Sequence, residues 1–288
     1  MDIIFPNLGI GIESLDRVAF SIFGFNIYWY GIFICFGALI GVKLCMKEAE
    51  RTGQDKDIYM DFVFWCLLSG IVGARLYYLV FHGDSLLDFF AIRNGGLAIY
   101  GGVLGGLIAG IIYSRVKKVC FPKFADTIIM SVLCGQIVGR WGNFFNREAF
   151  GRATKSLFSM CYKISDVGGA RLMGDYVKYN DATYPVTVIG GTNYIQVHPT
   201  FLYESMWNLC LLIALFVFRK HKRFDGELTL FYLAGYGTGR FLIESLRTDQ
   251  LEVFGIPVSM LVAAVSVGAA ASIEFYIIKK LKKNKNNT

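Results

Sequence analysis

The sequence predicts an all-α membrane protein, a seven-transmembrane-helix bundle with a small extracytoplasmic β-rich head. Three observations carry that expectation. The 288 residues are 55% hydrophobic and only 18% charged, with a mean hydropathy of +0.48, whereas a soluble domain has about 25% charged residues. The missing charge leaves apolar blocks long enough to cross a bilayer, at roughly 20–46, 58–82, 95–114, 124–146, 199–218, 227–246 and 255–278. Lysine and arginine collect on alternate connections between those blocks. Soluble, disordered and disulfide-scaffold classes are thereby excluded. The net charge of +7 does not indicate nucleic acid, because the basic residues form short clusters beside apolar blocks and read as topology signals.

Each block is bounded by those signals. Lys43, Lys47, Arg51 and Lys56 follow the first; Arg115, Lys117, Lys118 and Lys123 follow the third; Arg219, Lys220, Lys222 and Arg223 follow the fifth; Lys279, Lys280, Lys282, Lys283 and Lys285 close the chain. The opposite short segments hold Arg17, Arg93 and Arg247. The excess of positive charge inside then puts the N-terminus outside and the C-terminus in the cytoplasm. Met1 to Pro6 has no basic lead, and no small-residue cleavage site follows the first block, so no removable signal peptide is expected. The whole chain, 1–288, reads as a single polytopic membrane domain. Its stretch 147–196, between the fourth and fifth spans, alternates around Leu157 to Ile164 and Tyr184 to Val197 and is expected to form the head. Glycines at 102, 106 and 110, and at 235 and 239, recur every four residues and predict close helix packing. The seven cysteines, Cys35, Cys45, Cys66, Cys120, Cys134, Cys161 and Cys210, show neither a disulfide framework nor metal-ligand spacing.

Charge inside the spans is the strongest functional signal. Arg75, Arg140 and Arg240 each fall within an apolar block, where an arginine costs at least about 2.5–3.5 kcal/mol unless partnered or wetted. Carboxylates that can pair with them are Asp61, Asp126, Glu204 and Glu244. Gln136, Arg140, Asn143 and Arg147 form one helical stripe, and Tyr236, Arg240, Glu244 and Arg247 form a second. Two such stripes suit a phosphate group, which guanidinium forks bind bidentately; an internal Arg240–Glu244 pair is the alternative. The apolar surround points to a phospholipid headgroup. His198 precedes Pro199, which fits either a helix-entry residue or an acid–base group.

Beyond these patterns, the run Gly139-Arg140-Trp141-Gly142-Asn143-Phe144-Phe145-Asn146-Arg147-Glu148-Ala149-Phe150-Gly151 resembles the signature of the prolipoprotein diacylglyceryl transferases, bacterial membrane enzymes of lipoprotein maturation. Further pieces resemble the same family in order: Tyr28 to Gly31, Gly73 to Arg75, His198 to Glu204, and Arg240 to Glu244 with Arg247. One piece departs. Where the family often carries a His ahead of a Gly-Gly, read as a catalytic base, this chain has Tyr100; a phenol with a pKa near 10 is a poor base at neutral pH unless cations lower it.

The resemblance implies a multi-pass protein of the bacterial inner membrane. It implies transfer of the diacylglyceryl group of phosphatidylglycerol to the lipobox cysteine of a preprolipoprotein, with a thioether formed and glycerol 1-phosphate released. Partners are then phosphatidylglycerol and the preprolipoprotein signal-peptide region. No cofactor and no metal are expected. On this reading Arg140 and Arg240 bind phosphate and stabilise the leaving group, while Asn143 and Tyr30 hydrogen-bond the headgroup. Glu244 orients Arg240 or accepts the thiol proton. Tyr100 either touches the reacting centre or packs on glycine-rich backbone. Glu148 and Gly151 shape the exit of the stripe into the head, with Arg247 and His198 supporting; Arg75 and Asp126 are read as helix-holding groups. The alternative class is a lipid or anion transporter, which requires access from both faces. A seven-helix photoreceptor is excluded, since no lysine lies between Lys222 and Lys279 to form its Schiff base.

Overall fold

A computed structural model describes residues 1–82, 86–91, 95–180, 182–253 and 255–286. Arg93, used in the charge count above, lies outside them. The apolar blocks fold as helices, because only a helix satisfies every backbone N–H and C=O within one apolar segment. These are α1 (Trp29–Arg51), α2 (Lys56–His82), α3 (Ile99–Val116), α4 (Phe121–Asn146), α5 (Thr200–Phe218), α6 (Glu227–Glu244) and α7 (Val258–Asn286). Six of them, all but α6, are long and apolar enough to cross a membrane. α6 carries Glu227, Arg240 and Glu244 within its 18 residues, which makes it the most charged of the predicted spans.

The first span begins later than expected. Residues 18–28, part of which was read as its start, form a hairpin of β3 (Val18–Ile22) and β4 (Phe25–Tyr28). Phe23 and Gly24 at its tip both have positive φ, 49° and 80°, the conformation of a two-residue turn whose twist matches paired strands. Apolarity alone does not separate such a hairpin from a helix.

The chain divides into two compact units. One comprises Met1–Leu39, Val132–His221 and Leu230–Thr288; the other comprises Ile40–Ser131 and Lys222–Thr229. In the second, α2 and α3 pack backbone to backbone. A Cβ on Gly73 or Gly101 would overlap the other's carbonyl oxygen, and one on Gly105 would overlap that of Ser69. The tight face is thus Gly101 and Gly105, one residue before the register expected from Gly102, Gly106 and Gly110, whose Cβ positions make only ordinary contacts of 3.5–3.6 Å. Asp126, buried on α4, caps the start of α6: it accepts the backbone N–H groups of Gly226 and Thr229, each at 2.9 Å, and pairs with Lys222 at 3.2 Å. That matches its expected helix-holding role and satisfies orphan amides at a helix start.

In the first unit, a seven-stranded antiparallel sheet runs in the order β2-β1-β5-β9-β8-β7-β6. Its strands are β1 (Ile3–Phe5), β2 (Ile10–Ile12), β5 (Met160–Lys163), β6 (Arg171–Met173), β7 (Tyr176–Tyr179), β8 (Ala182–Ile189) and β9 (Thr192–Val197). The two N-terminal strands were not foreseen; Ile3 pairs with Tyr162 and Ile4 with Cys161. Ile3, Phe150, Met160, Tyr162, Tyr184 and Ile195 fill the core beneath the sheet, and Phe144 of α4 and Phe201 of α5 extend it. This shared core fixes the C-terminal end of α4 and the N-terminal end of α5. On α6, Gly235 and Gly239 face Leu211 and Trp207 of α5 closely, as their spacing predicts.

Candidate active site

The polar residues of α4, α5 and α6 converge on one carboxylate. Glu204, on the second turn of α5, is 3% exposed and holds two guanidiniums. Arg140 Nη2 lies 2.6 Å from its Oε1, and Arg240 Nη1 lies 3.1 Å from the same oxygen and 3.2 Å from Oε2. The other end of Arg240 meets Glu244 Oε2 at 2.8 Å. Beyond the end of α6, Arg247 binds Asp249 with two nitrogens at 3.0 and 2.9 Å and approaches Glu244 to 3.8 Å. Three arginines against three carboxylates leave the cluster formally neutral, which offsets much of the cost of burying six charges. Arg140 and Arg240 nonetheless keep 22% and 16% of their side-chain exposure, so each retains an edge that an anion can reach.

A second branch runs from Arg140 toward the sheet. Arg140 Nη1 is 3.5 Å from Asn143 Oδ1, and Asn143 donates to Glu148 Oε1 at 3.0 Å, as Asn146 does at 3.2 Å. The end of α4 accounts for this arrangement. The N–H of Glu148 returns to the carbonyl of Asn143 and that of Arg147 to Phe144, a helix stop that needs a left-handed residue between them. Arg147 takes that place with φ 55°, so it leaves the stripe in which it was expected. Its buried guanidinium turns instead to the carbonyl of Leu15 and to Asp2 and Asp166, at 3.6 and 3.8 Å. The rest of the stripe stands: Gln136 donates to Tyr232 at 2.8 Å, Tyr232 stacks on Tyr236, and Tyr236 lies beside both Arg140 and Arg240.

Tyr30 joins this branch from α1. A Cβ on Gly142 would come within 2.8 Å of Cε2 in the Tyr30 ring, so only glycine lets the phenol lie on α4. Tyr30, Asn146 and Glu148, with Arg17, Asn26 and Tyr28, line a pocket of about 540 Å³. Gly151 and His198 also meet. The N–H of Gly151 donates to the His198 carbonyl at 3.0 Å, and a Cβ on Gly151 would stand 2.8 Å from both His198 Cβ and the Leu246 oxygen. The strand-like crossing of Gly151 with Arg247 thus requires a residue without a side chain. The His198 ring, 3.3 Å from the Tyr203 hydroxyl, has its pKa lowered from 6.5 by burial and is neutral at pH 7.

Residues 17–278 match the family description "Prolipoprotein diacylglyceryl transferase". Proteins named phosphatidylglycerol–prolipoprotein diacylglyceryl transferase are similar throughout. The one from Clostridioides difficile is 37% identical over 277 residues, 95% of this chain and 98% of the relative. That from Oceanobacillus iheyensis is 40% identical over 267 residues, 88% of this chain and 86% of the relative. That from Finegoldia magna is 35% identical over 275 residues, 94% and 99% of the two chains. The chain belongs to the prolipoprotein diacylglyceryl transferase family.

In this diacylglyceryl transferase family member, the remaining predicted residues lie in the second unit. Tyr100 is the second residue of α3, its ring tilted 6.4 Å from that of Tyr77. Arg75, 4% exposed, secures the segment leading to it by donating to the carbonyls of Asp88, Phe89, Gly95 and Gly96 at 2.6, 3.2, 2.9 and 3.0 Å. Ala98 then closes onto Ala74 with a 3.1 Å backbone bond. Glu204 was counted in the sequence as a pairing carboxylate but given no part in the site; a carboxylate four residues into a span is costly to bury, and that was the signal for it. Asp249 gave no signal, because its partner Arg247 lies only two residues away in an ordinary polar turn.

Proposed function

We propose that this chain catalyses attack of a lipobox cysteine thiol on the diacylglyceryl carbon of phosphatidylglycerol. The S–C bond forms as the C–O bond to phosphate breaks, and the thiol proton is balanced by the phosphate released with glycerol. No redox partner is required. Membership in the transferase family supports the reaction, and the observation that carries the site is Glu204, shared by Arg140 and Arg240 with both guanidiniums still open at one edge.

A thiol with a pKa near 8.5 needs help to ionise, and a leaving phosphate oxygen needs its growing charge met. Two guanidiniums held in advance serve both ends, because they need no reorganisation as charge moves. Arg140 and Arg240 bind the phosphate; Asn143 and Tyr30 hydrogen-bond the headgroup; Glu244, already 2.8 Å from Arg240, orients that arginine. Glu148 sets Asn143, while Gly151, His198 and Arg247 hold the crossing below the sheet. Tyr100, on the segment Arg75 secures, is assigned a part in the chemistry through its hydroxyl.

Seven crossings complete the membrane part, α6 being the seventh. Of its two inner charges, Arg240 is paired with both Glu244 and Glu204, which lowers the cost of placing the helix in lipid. The N-terminus and the seven-stranded sheet lie outside as an extracytoplasmic head, and the C-terminus lies in the cytoplasm, in accord with the basic clusters.

The test is a reconstituted assay with phosphatidylglycerol and a lipobox peptide, following the thioether product. Product from wild type that Arg140→Ala abolishes and Tyr100→Phe reduces is expected. No product from folded wild type overturns the reaction, and full activity in Tyr100→Phe removes the phenol from the chemistry.

A further inference from the structure

The cluster of Arg140, Glu204 and Arg240 rests on a second polar layer. One helical turn further from the sheet, α4 carries Gln136, α5 carries Asn208 and α6 carries Tyr236. Asn208 is 1% exposed. Among the described residues neither its Nδ2 nor its Oδ1 has a hydrogen-bond partner, and Gln136 Oε1 has none either. A buried polar group left unmet costs about 1–3 kcal/mol, and leucine, the residue at 211, 212 and 215 of the same helix, would avoid that cost. An amide kept there at such expense points to a use for it.

The neighbours of Asn208 show which way it faces. Ser205, three residues before it, donates to the Ile137 carbonyl of α4 at 3.1 Å, and Leu211, three residues after it, presses on Gly235 of α6. Asn208 therefore sits on the α5 face turned toward both helices, the face that carries Glu204 one turn away. Helical side chains lean toward the helix N-terminus, and on α5 that is the end bearing Glu204. Gln136 is held at the same depth by its 2.8 Å bond to Tyr232, which uses its Nε2 and leaves Oε1 unmet. Leu133, Leu211, Leu212 and Leu215 are buried on the side away from the sheet.

We propose that Asn208 is a positioning residue that receives Glu204 when a phosphate displaces it from the guanidiniums. Glu204 holds Arg140 at 2.6 Å and Arg240 at 3.1 Å, and an incoming phosphate competes for the same N–H groups. A carboxylate that is 3% exposed and loses them needs other donors. The Asn208 amide has two N–H donors, both uncommitted and one turn from the carboxylate. One meets Glu204, and the other suits Gln136 Oε1. Its lack of a partner before the phosphate arrives is what makes it available afterwards. The inference rests on phosphate binding at Arg140 and Arg240, as proposed above.

The test reads binding and turnover separately in the full chain in detergent. Without added lipid, Asn208→Leu should unfold no lower than the wild type, because it removes an unmet amide and no hydrogen bond. Phosphatidylglycerol in the micelles, compared with diacylglycerol, which lacks the phosphate, should raise the wild-type unfolding temperature and raise that of Asn208→Leu much less. In the thioether assay the KM for phosphatidylglycerol should rise about tenfold, the worth of one hydrogen bond to a charged group, with the KM for the lipobox peptide unchanged. Asn208→Gln, an amide on a longer stem, should recover part of the loss, and Asn208→Ala gives the same comparison if the leucine variant does not fold. A wild-type KM for phosphatidylglycerol in the apolar variant overturns the proposal. Equal losses toward both substrates overturn it as well, since they mark a general packing fault. If the wild type forms no thioether yet is stabilised by phosphatidylglycerol, the transferase reading falls and the unfolding temperatures still decide the part of Asn208. Equal stabilisation of the wild type by the two lipids removes the phosphate from the arginines and overturns the proposal with it.

Discussion

Arg75 and Arg140 are both arginines in apolar helices, and the protein answers their charge in opposite ways. Arg140, with Arg240, is met by carboxylates that themselves hold more than one partner. Arg75 is met by four backbone carbonyls and is almost fully enclosed. Carbonyl dipoles are fixed by the chain's path, so the second arrangement organises backbone. A carboxylate on a side chain can yield, so the first arrangement can give up part of its hold when another anion arrives. The number of charges is a poor guide to function here; what separates the two sites is whether the partner can be exchanged.

The contrast can be tested at both ends. Glu204→Leu should be the most damaging change, since it strands two guanidiniums; a loss of about 3–5 kcal/mol is expected, read as a fall in thermal unfolding temperature in detergent. Glu204→Gln keeps the shape but not the charge, and should spare most of the stability while lowering thioether formation about 100-fold. If both variants unfold alike and neither touches activity in the folded fraction, the cluster is only structural. Arg75→Leu should cost about 3 kcal/mol, because buried carbonyls lose their donor, and amide hydrogen exchange should accelerate over 95–98 while the 140–148 segment stays protected. Gly142→Ala should cost about 1–3 kcal/mol by overpacking against Tyr30 and weaken phosphatidylglycerol use more than peptide use. The smallest effect is expected from His198. Its folded pKa lies below its unfolded one, so the unfolded state binds the extra proton first, and stability should fall as the pH drops through 6.5 and level off below the folded value. His198→Gln should flatten that part of the curve in unfolding scans from pH 7.5 to 5.

Much of the fold was legible because membrane helices announce themselves by apolarity and flanking charge, and α2 to α5 lie close to their expected places. The misses share a cause, which is that local backbone choices leave little trace in composition. Residues 20–28 are as apolar as the span they precede, and only the pair Phe23-Gly24 marks the turn. β1 and β2 are three residues each, too short to alternate. Arg147 occupies a left-handed helix stop usually given to glycine, so nothing in its type removes it from the stripe. Of the candidate site, the placing of Arg140 beside Asn143 and of Arg240 beside Glu244 was readable from spacing, since helical periodicity carries contacts along one helix. Glu204 needed the third helix, and no periodicity within α5 reports what lies opposite it.

The sheet has a consequence for the order in which the molecule is made. β1 precedes its partner β5 by four helices, and Tyr194, later still, donates to the carbonyl of Met1 at 2.7 Å. The β1–β2 pair therefore waits for its third strand until four helices have been synthesised, and it completes the sheet from the edge.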